Sequence, residues 1–301
     1  MIASPGLSIY EPEELDATLA LLQNLGEDAV VVAGGTAVTI MLRRGLIAPR
    51  CLVSLARIPG LRSVAIHDGW LHIGALTTHH AVETSTLVRE HIPVLADTFG
   101  NVGNIRVRCA ATVGGVMAEG DYASDPPTVM MGLNAVVGVQ SASGARRIAS
   151  RDFFRGMYET ALEPGELVTE VSVPIPPAAL VAVYEKFVTR SAEDRPCVGV
   201  FAACRPTGDG AFEDVRVVVG AAVETPQRFS DVEQQGDQTD LGPTITKMIG
   251  AAYASRIEPL EDFRGSAWYR REMISVWVTR AVERARTEAL ARFNAEEGAG
   301  G

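Results

Sequence analysis

The passage from Asp28 to Thr36 restricts the fold more than any other, because an apolar run (Asp-Ala-Val-Val-Val-Ala) leads straight into Gly34-Gly35-Thr36. A short apolar run bounded by glycine reads as a buried strand. The residues after it, Ala37 to Arg44, read as a helix that ends near Gly45. Upstream, Leu15, Leu19, Leu22 and Leu25 recur at helical spacing over Glu13 to Leu25, behind a Pro12 suited to a helix start. Arg50 to Leu55 is a second short strand. Helix, strand, glycine turn, helix and strand make one small α/β domain.

From about Ser63 the pattern changes. Ser63 to Ile66 and Trp70 to Ile73 are short strands around an Asp68-Gly69 turn. A short helix covers His80 to Ser85, and a longer one, Val94 to Val102, leads into the segment Ile105 to Val113. Asn134 to Ser141 and Glu166 to Val173 supply more strands, and Pro174-Ile175-Pro176-Pro177 then marks a domain boundary. Beyond it Ala182 to Val188, Cys197 to Cys204 and Val215 to Val223 read as an antiparallel sheet. Thr225 to Pro243 reads as a polar exposed loop, Thr246 to Ser255 and Tyr269 to Arg292 as closing helices, and Gly298 to Gly301 as a disordered tail. No internal repeat is present.

Composition excludes several partners. Hydrophobic residues at 47% against 21% charged ones fit an ordered globular protein. The net charge is −10 and the 27 basic residues form no stripe, which argues against nucleic acid and against an anionic membrane. No apolar run reaches transmembrane length and Met1 to Leu15 lacks a basic n-region, so a cytoplasmic location is expected. Only Lys186 and Lys247 are lysines, a bias that nucleotide composition of the gene accounts for. Cys51, Cys109, Cys197 and Cys204 have spacings that suit neither zinc nor an iron–sulfur cluster, and buried free thiols are expected. All five histidines fall between His67 and His91, but His79 and His80 are adjacent and would diverge, so surface or capping roles are expected over a metal site. Redox chemistry here must rest on an organic cofactor.

Two glycine pairs could carry it. Ala33-Gly34-Gly35-Thr36 lies between a strand and a helix start, where backbone N–H groups and the helix dipole attract phosphate and Thr36 could donate its hydroxyl. It is neither a G-x-G-x-x-G nor a Walker loop, and taken alone a plain turn is the commoner reading. The second pair lies in Ala111-Thr112-Val113-Gly114-Gly115, followed by Asp121, Ser124, Asp125 and Pro126-Pro127. Small residues there let the chain pass beneath a flat ligand, and Asp125 could bind ribityl or ribose hydroxyls; a tight loop between packed strands is the plainer reading. Asp121 and Asp125 could form an acid–base pair, or one of them could cap the helix that the prolines begin. Two such turns on separate small domains point to a pyrophosphate held between them.

The two turns resemble the paired FAD motifs of the medium subunits of molybdenum hydroxylases, the family of the carbon monoxide dehydrogenase medium subunit and the xanthine dehydrogenase flavin domain. Arg57 to Leu61, Ile73 to His79, Tyr184-Glu185-Lys186 and the run Asp262 to Arg271 are similar to segments of such proteins, so the resemblance covers nearly the whole chain. It implies an α+β fold. A two-subdomain FAD-binding unit of the vanillyl-alcohol-oxidase/p-cresol-methylhydroxylase (PCMH) type, about 1–56 and 57–175, would precede a small antiparallel sheet with helices, about 176–290, and a flexible tail, 291–301. FAD would lie extended between the first two parts, its isoalloxazine ring reaching the third.

By position, the resemblance places Ala33, Gly34, Gly35, Thr36, Ala37 and Val38 around the pyrophosphate and Thr112, Gly114 and Gly115 on its opposite side. It gives Asp125 the cofactor hydroxyls and Val168 and Lys186 the remaining edges, a plain salt bridge being the other reading of Lys186. It further implies a large molybdopterin subunit, a small subunit with two two-iron clusters, a dimer of heterotrimers and an external electron acceptor. No catalytic acid, base or nucleophile is needed in this chain, since the flavin carries the redox chemistry. The sequence departs from the pattern at Ala37, at Val116 in place of an Asn, at Asp121-Tyr122-Ala123-Ser124-Asp125 in place of Asp-Pro-Ala-Ala-Asp, and at Arg195 where a Tyr can occur. One or two lost hydrogen bonds would weaken FAD binding by about 1–3 kcal/mol. The rival readings are a self-sufficient flavoprotein, with only Asp194 and Tyr184 as candidate acid or base, and an assembly subunit that has lost FAD.

Overall fold

A computed structural model describes residues 6–299. The first lobe runs β1 (Ser8–Tyr10), α1 (Leu15–Leu25), β2 (Ala29–Val32), α2 (Thr36–Arg43) and β3 (Cys51–Ser54). Its strands are parallel in the order β1-β3-β2. Parallel neighbours need crossovers, which α1 and α2 supply. Leu19 and Leu22 of α1 pack with Val53, Leu55, Ile58 and Leu61, and also with Leu76 and Leu167 from the next lobe. The lobe is therefore seated on its neighbour. β1 was not legible: its three residues are all exposed and carry no alternation.

The second lobe starts with the hairpin β4 (Val64–His67) and β5 (Trp70–Gly74). Asp68 (φ 52°) and Gly69 (φ 76°) both take left-handed backbone, as a two-residue turn of this hand requires. Six short helices follow: α3 (His79–Thr84), α4 (Thr86–His91), α5 (Pro93–Gly100), α6 (Ile105–Arg108), α7 (Val113–Glu119) and α8 (Asp125–Gly132). Then come β6 (Val136–Ser141), β7 (Gly144–Ala149), α9 (Ser150–Phe153), the small hairpin β8 (Phe154–Gly156) and β9 (Glu159–Thr160), and β10 (Leu167–Pro174). The antiparallel sheet has the order β4-β5-β10-β6-β7. The segment from Ile105 begins with a helical turn because the Asn104 carboxamide oxygen accepts from the N–H groups of Arg106 (3.1 Å) and Val107 (3.2 Å).

The third domain holds β11 (Val181–Phe187), β12 (Val198–Pro206) and β13 (Phe212–Gly220), antiparallel in that order, then α10 (Ser230–Glu233), α11 (Pro243–Arg256) and α12 (Ala267–Ala299). One face of its sheet packs on α11 and α12 through Val200, Val217, Val219, Ile249, Tyr253 and Val278. The other face sends Phe201, Ala203 and Val218 into the core of the second lobe. There they meet α8, every residue of which is buried. Gly132 leaves the space for the Phe201 ring: a Cβ on it would stand 2.2 Å from that ring.

Two expectations need correction. α12 continues past Arg292 to Ala299 where a flexible tail was expected, through residues of good helix propensity such as Ala295, Glu296 and Glu297. Gly300 and Gly301 of that tail lie outside the described residues. Thr225 to Pro243 is more than a polar loop, since α10 buries the Glu233 carboxylate against the N–H of Val217 (2.7 Å) and Arg228 (2.8 Å).

Candidate cofactor site between the lobes

Gly35 sits at φ 72°, ψ 0°, a left-handed conformation that glycine adopts without strain, and delivers the chain into α2. No side chain caps this helix start. The first backbone bond across it runs from the Thr39 N–H to the Gly35 carbonyl (3.0 Å), so the N–H groups of Thr36, Ala37 and Val38 precede the helical ladder. Ala33 to Val38 are half-buried. The second lobe comes very close to this turn. A Cβ on Gly34 would lie 1.8 Å from the Ala110 carbonyl oxygen, so the first turn presses on the backbone that leads into the second.

The second glycine pair is not a turn. It forms the first turn of α7, because the Thr112 hydroxyl accepts from the Gly115 N–H (3.1 Å). The Val113 N–H donates to the Thr77 carbonyl (2.9 Å), that of Gly114 to Ala75 (2.8 Å) and that of Val116 to Thr112 (3.0 Å). Every early N–H of α7 therefore has a protein acceptor. Gly114 serves packing, since a Cβ there would stand 2.5 Å from the Ala75 Cβ. Thr112 and Gly114 are buried, Gly115 is half-buried, and Val116 packs in the core of the second lobe.

Asp125 and Lys186, 61 residues apart, meet directly. The Lys186 ammonium donates to Asp125 Oδ2 (2.9 Å) and to the Asn101 carbonyl (2.8 Å), and the Tyr184 phenol donates to Asp125 Oδ1 (2.8 Å). The ion pair is nearly dry, with the side chains 11% and 4% exposed. Burial pushes the Asp125 carboxyl up, against the pull of the Lys186 charge, and burial followed by the Asp125 charge lifts the Tyr184 phenol well above its usual range. The expected cap on α8 is absent: its start at Ser124 has no side-chain hydrogen bond. Asp121 instead accepts from the Ala123 N–H (3.1 Å) and pairs with Arg195. Beside that pair, burial and then the Asp121 charge raise the Glu119 carboxyl to about 7. Val168 lies at the bulge of β10, in the same core of the second lobe as Val113 and Val116 of α7.

Other expectations shift with burial. His79 is 1% exposed and burial lowers it to about 4, and His72 is buried with Nδ1 2.9 Å from Glu170 Oε1, so these two are neither surface nor capping residues. Among the described residues no cluster of histidine, cysteine or carboxylate could hold a metal. Cys51, Cys197 and Cys204 are buried free thiols as expected, whereas Cys109 is exposed. No helix among the described residues is long and apolar enough to cross a membrane. Sequence reasoning missed the roles of Tyr184, Asn101 and the Ala110 backbone; a tyrosine two residues from a strand lysine was the one visible sign.

A parallel lobe and an antiparallel lobe that press together at an uncapped helix start, followed by a sheet-and-helix domain, define a two-lobed α+β protein with a third domain. Residues 5–176 match the family described as the FAD binding domain in molybdopterin dehydrogenase, and residues 182–285 match the CO dehydrogenase flavoprotein C-terminal domain. The glyceraldehyde dehydrogenase medium chain of Sulfolobus acidocaldarius is 32% identical over 277 residues, 92% of this chain and 97% of the relative. The carbon monoxide dehydrogenase medium chain of Afipia carboxidovorans is 32% identical over 281 residues, 93% of this chain and 96% of its own. In the solved structure of reconstituted CO dehydrogenase from Oligotropha carboxidovorans, one chain superposes with a TM-score of 0.90 at 31% identity, covering 95% of this chain and 99% of that one. The chain belongs to the family of FAD-binding medium subunits of molybdenum hydroxylases, and as such is an oxidoreductase subunit.

Proposed function

We propose that this chain holds FAD as the electron-transfer subunit of a heteromeric molybdenum hydroxylase. The observation that carries the reading is the uncapped, half-buried start of α2, whose first N–H groups precede the helical ladder beside the close approach of the second lobe at Gly34. The donor set suits a pyrophosphate: backbone N–H groups from Thr36 to Val38, a helix dipole, and glycines that admit close approach. Gly34 and Gly35 shape the turn beside Ala33, while Thr112, Gly114 and Gly115 bring α7 up to the opposite side by packing. We assign the cofactor's hydroxyls to Asp125, held by its ion pair with Lys186, and the cofactor's remaining edges to Lys186 and Val168. The division into domains at about residues 56 and 175 follows the same reading, with one main sheet in each part.

Bound FAD would supply the redox chemistry, taking electrons from two-iron clusters of a small subunit and releasing them to an external acceptor, while molybdopterin in a large subunit oxidises the substrate. This chain's own residues bind, orient and shield. The expected assembly is a dimer of heterotrimers in the cytoplasm. The test is an absorbance spectrum of the purified protein with flavin quantified after denaturation. Bands near the flavin maxima and close to one FAD per chain are expected; a colourless chain that stays empty after FAD is added would sink the proposal.

A further inference from the structure

The loop between α7 and α8, residues 121–124, ends at Asp125, yet its side chains are held from the third domain. Asp121 pairs with Arg195 of the β11–β12 connection. Tyr122 donates its phenol to Asp262 Oδ2 (2.8 Å), just ahead of α12. Asp125 itself is gripped by Tyr184 and Lys186 of β11. Two positions of one short loop and the first residue of the helix it leads into are thus fastened to three separate segments of another domain.

Asp262 is the junction with the most partners. It accepts from Arg264 Nη1 (2.6 Å), from Arg270 Nη2 (2.6 Å) and from the Arg264 N–H (2.8 Å). Arg264 turns back to the phenol oxygen of Tyr122 (3.1 Å) and lies 5.9 Å from its ring. Arg270 is fully buried, so Asp262 cannot swing towards solvent without stranding a charge in the interior. The junction is therefore stiff, and the Tyr122 hydroxyl is its hydrogen-bonded link to the loop.

We propose that Tyr122 and Asp262 are positioning residues for the flavin site: they fix the loop that aims Asp125, so the third domain sets how tightly the cofactor is held. The proposal rests on the reading that Asp125 faces FAD. Tyr122→Phe in the full chain removes one hydroxyl and leaves the Asp262–Arg264–Arg270 group intact. In the flavin-free protein, hydrogen exchange at the Ala123 and Ser124 amides is expected to accelerate on the order of ten-fold while the thermal midpoint stays with the wild type. In a fluorescence titration with FAD, Kd is expected to rise by a similar factor, and Tyr122→Phe added to Asp262→Asn should weaken binding no further than Asp262→Asn alone. Wild-type exchange, or wild-type FAD affinity, in Tyr122→Phe overturns the proposal. A wild-type chain that takes up no FAD overturns the function instead, and the exchange rates then judge the clamp by themselves.

Discussion

The two glycine pairs look alike in the sequence and do different work. Gly34-Gly35 precedes a helix that no side chain caps and whose first N–H groups precede the helical ladder. Gly114-Gly115 lies inside a helix whose early N–H groups are all satisfied by Thr112, Thr77 and Ala75. The first pair leaves donors for the anion that we propose binds there; the second lets α7 approach the chain at Ala75. A glycine pair thus announces closeness, and only the hydrogen-bond census tells whether a ligand or another piece of backbone comes close.

Substitutions can break this comparison. Gly34→Ala should have the largest effect, because its Cβ meets the Ala110 carbonyl and forces the lobes apart. A rise in FAD Kd on the order of 100-fold is expected by equilibrium titration, equivalent to about 2.7 kcal/mol. Gly114→Ala should instead lower stability by roughly 1–3 kcal/mol in a denaturant melt, with a smaller effect on FAD affinity. If the two variants exchanged these phenotypes, the assignment of roles would be reversed. Thr112→Val removes the cap of α7 and should cost about 1 kcal/mol of stability.

The smallest effect concerns pH and the far end of α7. Glu119 is raised from 4.5 to about 7, so the folded state holds an extra proton between those values. This contribution to stability is fully present below pH 4.5 and is lost as pH rises through 7. Glu119→Gln should flatten the decline in thermal midpoint across that window; an unchanged profile would show that another group sets it.

Much of the scaffold was legible, for reasons that differ by region. Leucine spacing gave α1, and the apolar run ending in glycine gave β2 and the start of α2 within a residue or two. α7 was not legible, since Thr-Val-Gly-Gly has poor helix propensity and its first turn relies on the Thr112 cap together with tertiary acceptors at Thr77 and Ala75. Burial of His72 and His79 was equally hidden, because a lone histidine carries no period. Asp125 entered the candidate site as a carboxylate able to bind cofactor hydroxyls, Lys186 through family resemblance; their direct contact depends on how β11 meets the start of α8, which no local pattern encodes. Asp262 was noticed as part of a motif, but its link to Tyr122, 140 residues earlier, is visible only in three dimensions.

Helix α8 carries a consequence for how the chain is made. Its fully buried surface is closed on one side by Phe201 and Val218, which are synthesised some 70 to 90 residues later. As the chain leaves the ribosome, the flavin lobe therefore reaches its final core only after most of the third sheet has emerged. A polypeptide stopped at the proline-rich joint would present α8 to water as a sticky apolar stripe. The order of synthesis thus ties the finished core of the second lobe to the arrival of the third sheet.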